Sequence, residues 1–258
     1  MEYGLVSIIM LSHNNGDFLE ESVRSIMMQT YPNWELLFVD DSSKDNSVHK
    51  ILEIFGDDDR IHVSYTVFEN GPALHLNSAL KAAQGEWIAF INCGDCWEPE
   101  KLERQVSFMI NKGASFTYTK FRLKDENGKD AGVIVGGIKS VTYKDLMKCC
   151  WLCFPTVMYN AKTIGVMQVK NLWECNDYAL WLKVSRKVDC LLLDECLSTQ
   201  LTNRHLYSPF PIKNKIKWRY EVYHTEMDYN PIVSALMTIR SLSYGIWKKM
   251  NYSIKDIK

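Results

Sequence analysis

The amino-acid sequence predicts an α/β fold, a mostly parallel sheet flanked by helices and followed by a helical C-terminal tail. Three observations carry that prediction. Short runs that are apolar throughout recur along the first hundred residues, as expected of strands covered on both faces. Segments with helical spacing separate them, the alternation that builds a parallel sheet. Several of the runs end in a polar cluster.

The elements follow in order. Val6–Leu11 is a strand broken only by Ser7, and Leu19, Val23, Ile26 and Met27 mark the helix after it. Trp34–Val39 is the second strand, Ser47–Phe55 the next helix, Ile61–Tyr65 the third strand, and a helix spans about Leu74–Ala83. Trp87–Ile91 is the fourth strand. Pro99 suits the first turn of the helix that carries Leu102, Val106 and Met109. In open parallel sheets ligands bind beyond the carboxyl ends of the strands. Ser12-His13-Asn14, Asp40-Asp41 and Asn92…Asp95 all fall at that edge, so they are expected to converge on one site.

At 258 residues, with 47% hydrophobic and 24% charged residues, the chain is long enough to bury a core without metal or disulfide staples. A formal net charge of −1 gives no global basic field for nucleic acid. The charge is uneven, however. From Lys213 to Lys258 there are nine lysines and arginines against four carboxylates, interleaved with Trp218, Tyr220, Tyr223, Tyr244, Trp247 and Tyr252. Two readings stand: a tail that lies on an anionic membrane surface, or a solvated helix packed on the main domain. No run approaches a membrane span, and Met1–Leu11 is too short and lacks the positive start of a signal peptide. A cytoplasmic protein with reduced cysteines is expected, acting at the inner face of the membrane if the tail binds lipid. Of the eight cysteines, Cys93/Cys96 and Cys150/Cys153 have zinc-like spacing, but the gap between the pairs is far longer than in a zinc ribbon.

Gly-x-Gly-x-x-Gly does not follow the first strand, and neither a phosphate-binding Gly-x-x-x-x-Gly-Lys-Ser/Thr nor a Gly-x-Ser-x-Gly elbow occurs. The expected site is acidic. Such a rim meets a phosphorylated ligand through a divalent cation, or through ribose hydroxyls and base N–H groups that donate to carboxylates. A nucleotidyltransferase would need bases after the first strand, and Asn14-Asn15-Gly16-Asp17 has none.

Five stretches resemble one family. They are Ser7-Ile8-Ile9-Met10-Leu11-Ser12-His13-Asn14, Ser25 through Leu36 with its Gln29-Thr30-Tyr31-Pro32-Asn33, Val39-Asp40-Asp41-Ser42-Ser43-Lys44-Asp45, Gly85 through Phe90 with Trp97-Glu98-Pro99-Glu100-Lys101-Leu102, and Asn176-Asp177-Tyr178-Ala179-Leu180-Trp181-Leu182-Lys183. In this order they are similar to the family 2 glycosyltransferases of bacterial surface-polysaccharide type, over about residues 5 to 208. The resemblance implies the GT-A fold and an inverting transfer from a nucleotide-diphosphate sugar, with UDP ahead of GDP, to a saccharide or lipid-linked hydroxyl acceptor. It divides the chain into a donor-binding half (1–112), an acceptor-binding half (113–208) and the basic tail (209–258). It implies Asp177 as general base. Ser12, His13, Asn14, Asp40 and Asp41 would line the nucleotide pocket, with Asn92 and Asp95 beside them, and Arg204 and His205 would close over the diphosphate. The family's Asp-x-Asp, which with a trailing Asp holds Mn²⁺ or Mg²⁺, reads Asn92-Cys93-Gly94-Asp95 here, leaving Asp95 as the candidate metal ligand. The family's Pro and Tyr on the first strand are Leu11 and His13, and its Ala-Arg-Asn is His75-Leu76-Asn77. Two outcomes therefore stay open: a working transferase, or a silenced fold that serves as a binding or regulatory partner.

Overall fold

A computed structural model describes residues 3–66, 71–125, 128–201 and 212–255. The first half runs β1 (Val6–Ser12), α1 (Gly16–Met27), β2 (Trp34–Asp41), α2 (Ser47–Phe55), β3 (Ile61–Thr66), α3 (Pro72–Ala82), β4 (Trp87–Asn92), β5 (Cys96–Trp97) and α4 (Lys101–Lys112). Then come β6 (Phe116–Lys124), β7 (Asp130–Val135), β8 (Ser140–Val141), α5 (Tyr143–Leu146), β9 (Met158–Asn160) and α6 (Ala161–Ile164). The chain continues through α7 (Asn176–Val184), β10 (Cys190–Leu201), α8 (Ile212–Glu221), a π-helical turn (Val222–Glu226), α9 (Pro231–Tyr252) and β11 (Ser253–Lys255).

All these strands share one sheet, with β11-β7-β6-β9-β4-β1-β2-β3 in order and β10 carrying β5 and β8 beside β6. The β3-β2-β1-β4 half is parallel. β9 then joins β4 and β6 antiparallel, so the second half is mixed. Register decides where the polar cluster of each strand ends up. Ser12 pairs with Asp40 and Leu11 with Asn92, so three strand ends reach the same edge together.

The two faces of the sheet bury two cores. Leu36 and Phe38 pack with α1, α2 and α4 through Val23, Ile51 and Val106. Leu37 and Val39 pack on the other face with α3 and α7 through Leu76, Leu80 and Trp181. Trp181 is 0% exposed and meets Phe90 edge-on with ring centroids 5.0 Å apart. Cys149 is part of this core and Cys150 packs against it; burial pushes the Cys150 thiol up to about 12 and the Cys153 thiol well above its ordinary value. They therefore pack as neutral thiols.

The C-terminal segment closes over this second face. Trp218, Val222, Tyr223 and Met227 are buried, and β11 adds to the sheet beside β7. No helix among the described residues is long and apolar enough to cross a membrane.

Candidate active site

Strand alternation sends neighbouring residues to opposite faces of the sheet. On β2 this separates Asp40 from Asp41. Asp41 follows Leu37 and Val39 toward α3 and α7, and Asp40 follows Leu36 and Phe38 to the other side. A cavity of about 480 Å³ opens beyond the strand ends on the Asp41 side. It brings together Ser12, His13, Asp41, Asn92 and Asp177, with His75, Glu174 and Asn176 also on its wall.

The rim is tied by hydrogen bonds that leave few choices of orientation. His13 Nδ1 lies 2.7 Å from the Asp41 carbonyl, which only accepts, so Nδ1 carries the proton. Its Nε2 then accepts from the Asn14 side-chain amide at 3.0 Å. Asn14 Oδ1 in turn accepts the Lys44 N–H, joining the loop after β1 to the loop after β2. Asn14 and Ser42 both have left-handed φ, near 54° and 55°, a conformation that costs energy for non-glycine residues and recurs at binding sites. Asn14 thus shapes the rim, although it does not line the cavity.

Asp40 and Asp95 stand elsewhere. Asp40 is 1% exposed, and its carboxylate accepts the Ser43 N–H at 2.8 Å and the Ser43 hydroxyl at 2.5 Å. It holds the turn after β2 and offers nothing to the cavity. Asp95 is 3% exposed and turned inward, where Oδ1 accepts the Leu201 N–H and Oδ2 the Asn92 amide. Burial pushes its carboxyl up to about 7. Arg204 and His205 lie outside the described residues, in the segment that leaves β10 just after Leu201.

A divalent cation does not fit the donor set of the β4–β5 loop. Asn92 offers an amide, Cys93 a buried thiol raised to about 12, and both Asp95 oxygens are already engaged. Gly94 has φ +96°, a backbone conformation that strains any other residue, and a Cβ there would stand 2.8 Å from Leu201 Cδ2, so an aspartate at this position would require the Leu201 side chain to shift. Among the described residues no group of three or more His, Cys, Asp or Glu side chains could hold a metal ion. Cation binding favours several exposed carboxylate oxygens, and this loop has one carboxylate, buried and already accepting at both oxygens.

Glu174 and Asn176 are wall residues to which the motifs give no role, and His75 is the basic residue beside the position of the family's missing arginine. His75 sits on α3, one turn from its N-terminus, and is 3% exposed. Its Nδ1 donates to the Gly71 carbonyl at 2.9 Å and lies 3.5 Å from Asp41 Oδ1. Its only sequence signal is the basic residue that the family carries beside this position. Asp41 Oδ1 and Asn176 Oδ1 are buried acceptors that make no hydrogen bond among the described residues. Unmet acceptors on a cavity wall are where a ligand's N–H or O–H groups recover the lost solvation.

Asp177 occupies the first turn of α7, after Cys175 in a left-handed conformation with φ 61°. Its carboxyl stays partly open to the cavity. Burial pushes it above the ordinary carboxylate range, against the backbone N–H groups at the helix start and the charge of Arg219. Glu174 is also raised, by burial and then by the Asp177 charge. The acidic wall thus holds two carboxylates in unequal surroundings.

Fold and site together define a transferase of the GT-A type. The chain belongs to glycosyl transferase family 2, whose family model matches residues 7–144. It is 34% identical over 206 residues to TuaG of Bacillus subtilis, named for teichuronic acid biosynthesis, covering 79% of this chain and 82% of that protein. It is 36% identical over 187 residues to the Escherichia coli UDP-Glc:alpha-D-GlcNAc-diphosphoundecaprenol beta-1,3-glucosyltransferase WfgD, covering 71% of each. Among solved structures, S. aureus TarS 1–349 in complex with UDP-GlcNAc matches with TM-score 0.70 at 18% identity, over 95% of this chain and 74% of that one. The mannosyltransferase PcManGT from Pyrobaculum calidifontis, in complex with GDP-Man and Mn²⁺, matches with TM-score 0.63 at 13% identity, over 94% and 75%. At those identities the likeness is one of fold.

Proposed function

We propose that the chain is an inverting glycosyltransferase of bacterial surface-polysaccharide assembly that takes a UDP-sugar in this cavity and transfers the sugar to a lipid-linked saccharide hydroxyl. The observation that carries the reading is the convergence of Asp41, Asn92 and Asp177 on one cavity at the carboxyl edge of the sheet. Asp41 and Asn176 accept from base N–H or ribose hydroxyl groups. Asp177 takes the proton as the acceptor oxygen attacks the anomeric carbon. The bond from that carbon to the β-phosphate oxygen breaks, the electron pair leaves with UDP, and one in-line displacement inverts the centre. A raised carboxyl suits a base that works near neutral pH. Arg204 and His205 supply positive charge for the diphosphate. The acceptor class follows the name of the WfgD relative, whose acceptor is a diphosphoundecaprenol.

Calorimetric titration of UDP and GDP, each with Mn²⁺ and with EDTA, tests the donor site. UDP is expected to bind equally with the metal and with EDTA, because the β4–β5 loop has no free carboxylate for a cation. Asp41→Ala is expected to weaken binding about tenfold, the cost of one buried hydrogen bond. Failure of both nucleotides to bind overturns the donor reading and leaves a silenced fold. Binding that needs Mn²⁺ overturns the cation-free loop.

The tail extends the same reading to the membrane surface. α9 is inverted: Ser234, Thr238 and Ser241 are buried, while Ile232, Leu236, Ile239, Ile246 and Met250 are 61–79% exposed on the opposite side. The helix exposes Arg240 and Lys249, turns Lys248 inward to the Cys150 and Trp151 carbonyls, and carries no carboxylate, so a second copy of the face would meet like charge and an anionic bilayer would meet opposite charge. Flotation with phosphatidylglycerol vesicles is expected to capture the chain. Replacing Ile232, Leu236, Ile239 and Met250 with serine is expected to cut binding more than tenfold, at roughly 1 kcal/mol per side chain. Unchanged flotation, or a dimer in solution that the same change dissolves, overturns the membrane contact. Truncation of the tail is a poorer test, because it would expose Val222 and Tyr223 and remove β11.

A further inference from the structure

The loop that leads into α7 presents a tryptophan to the cavity. Trp173 is on the cavity wall and 54% exposed, although an indole is among the side chains that gain most from burial. The loop around it is tied down on several sides. Asn77 of α3 clamps Val169: its amide donates to the Val169 carbonyl at 2.7 Å, and its Oδ1 accepts the Val169 N–H at 2.9 Å. Glu226, a buried carboxylate of the C-terminal segment, accepts the Lys170 N–H at 2.6 Å and pairs with Lys183 of α7 at 2.5 Å. Leu172 is buried in the core next to the ring's own backbone, and Cys175 turns the chain into α7 with φ 61°. The ring edge rests on the start of α3, where a Cβ on Gly71 would stand 3.8 Å from Trp173 Cε3. With the loop held at these points, the exposure of the indole is a fixed feature of the wall.

The neighbours of the ring say what it can bind. Glu174 and Asp177 follow it in the same loop and helix start, line the same cavity and offer carboxylate oxygens. An aromatic face beside hydrogen-bond acceptors suits a ligand with an apolar face and hydroxyls along its edge. A pyranose has that shape: its ring C–H bonds point to a face and its hydroxyls lie around the rim. A nucleobase also stacks on indole. The acceptors that would meet its N–H groups, Asp41 Oδ1 and Asn176 Oδ1, are buried, however, whereas Trp173 stands on the open side of the cavity. The ring also precedes Asp177 by one helical turn of sequence, on the segment where the attacking hydroxyl has to arrive.

We propose that Trp173 is the platform for the acceptor sugar: the residue that carries the attacking hydroxyl stacks a C–H face on the indole, and Glu174 accepts from a neighbouring hydroxyl. The inference rests on the reading of this cavity as a glycosyltransferase site and deepens it by placing the acceptor ring. Such a platform binds and orients the acceptor and takes no proton, so its loss raises the acceptor KM more than it lowers kcat.

Saturation-transfer NMR on the full chain tests it, with the methyl α-glycosides of glucose, N-acetylglucosamine and galactose as probes, each with and without UDP. In the native chain the ring C–H protons of at least one probe are expected to receive saturation. Trp173→Ala is expected to weaken binding of that probe about tenfold, on the scale by which a lost stacking aromatic weakens a bound ring. Trp173→Phe keeps an aromatic face and is expected to retain most of the affinity. Because the indole is exposed, both variants are expected to melt like the native chain and to bind UDP and UDP-glucose within about twofold of it. Should Trp173→Ala fail to fold, Trp173→Gln takes its place in the comparison. Absence of saturation in every probe with the native chain overturns the proposal, and so does equal probe binding by Trp173→Ala. A parallel loss of UDP affinity makes the ring a nucleobase platform, and a loss confined to UDP-glucose makes it a donor-sugar platform; either result overturns the acceptor assignment. The two readings fail separately: a native chain that binds no nucleotide removes the donor reading, while probe saturation without UDP reports on the sugar contact alone.

Discussion

Asp177→Asn is expected to lower sugar transfer by about 10²- to 10⁴-fold, the usual contribution of a positioned general base, while UDP affinity stays within about twofold of the native chain. Asparagine has nearly the same shape and can still accept at the start of α7, so the helix and the cavity should persist. What is lost is the ability to take a proton from the acceptor hydroxyl. Steady-state transfer and calorimetry on the same preparation separate the two effects. Native-level turnover would remove Asp177 from the chemistry, and a matching loss of UDP affinity would move it to the donor pocket. In the native enzyme, activity should fall as pH drops through the raised carboxyl value, because protonation consumes the base.

Trp181→Ala is expected to cost about 3–5 kcal/mol of stability, the range for emptying a large aromatic from a packed core. Trp181 is fully buried and sits among Phe90, Phe116 and Phe154, with ring centroids 5.0, 5.9 and 6.3 Å away. It stands one helical turn after Asp177, so the void would open under the helix that carries that acid. For a chain this size the loss corresponds to a fall in Tm of roughly 6–20 °C. Trp181→Phe keeps most of the volume and sheds an indole N–H that has no partner among the described residues, so it should cost much less. Calorimetric melting of the three proteins checks the order. An alanine variant within 1 kcal/mol of native would mean that α7 is held by the tail contacts and not by this aromatic cluster.

The parts of the fold that were legible in the sequence share a physical cause. β1 through α4 have continuous apolar runs set between helical patterns, and both signals survive without knowledge of neighbours. The structure extends β1 to Ser12 and β2 to Asp41, so each polar cluster begins on the last residue or residues of its strand; Asp40 and Asp41 stay on β2, while His13 and Asn14 leave β1 for the loop that follows. β5 and β8 are two-residue strands, too short to show any period, and they exist because β10 offers them an edge. Their pairing is a property of the assembled sheet.

The site divides in the same way. Asp41 and Asp177 stood out as acids at the end of an apolar run and in a motif at a helix start. Asp40 stood out equally, because a strand buried on both faces gives no alternation from which to tell which of two adjacent acids faces the ligand. Only the packing of α3 and α7 on one face decided it. Glu174 carries no pattern of its own, and His75 and Asn176 fall in family stretches that assign them no role; all three reach the cavity because α3 and the start of α7 meet there.

The sequence by itself determined the class of fold, the edge of the sheet where the polar clusters gather and the acid that stands at the start of α7, since each depends on local periodicity or on a short motif. The tertiary structure alone decided that Asp95 turns inward to the Leu201 N–H, that Asp41 and not Asp40 lines the cavity, and that His75 on α3 lies 3.5 Å from Asp41 Oδ1. Direction and proximity of that kind come from how distant elements pack, and no local pattern of residues records it.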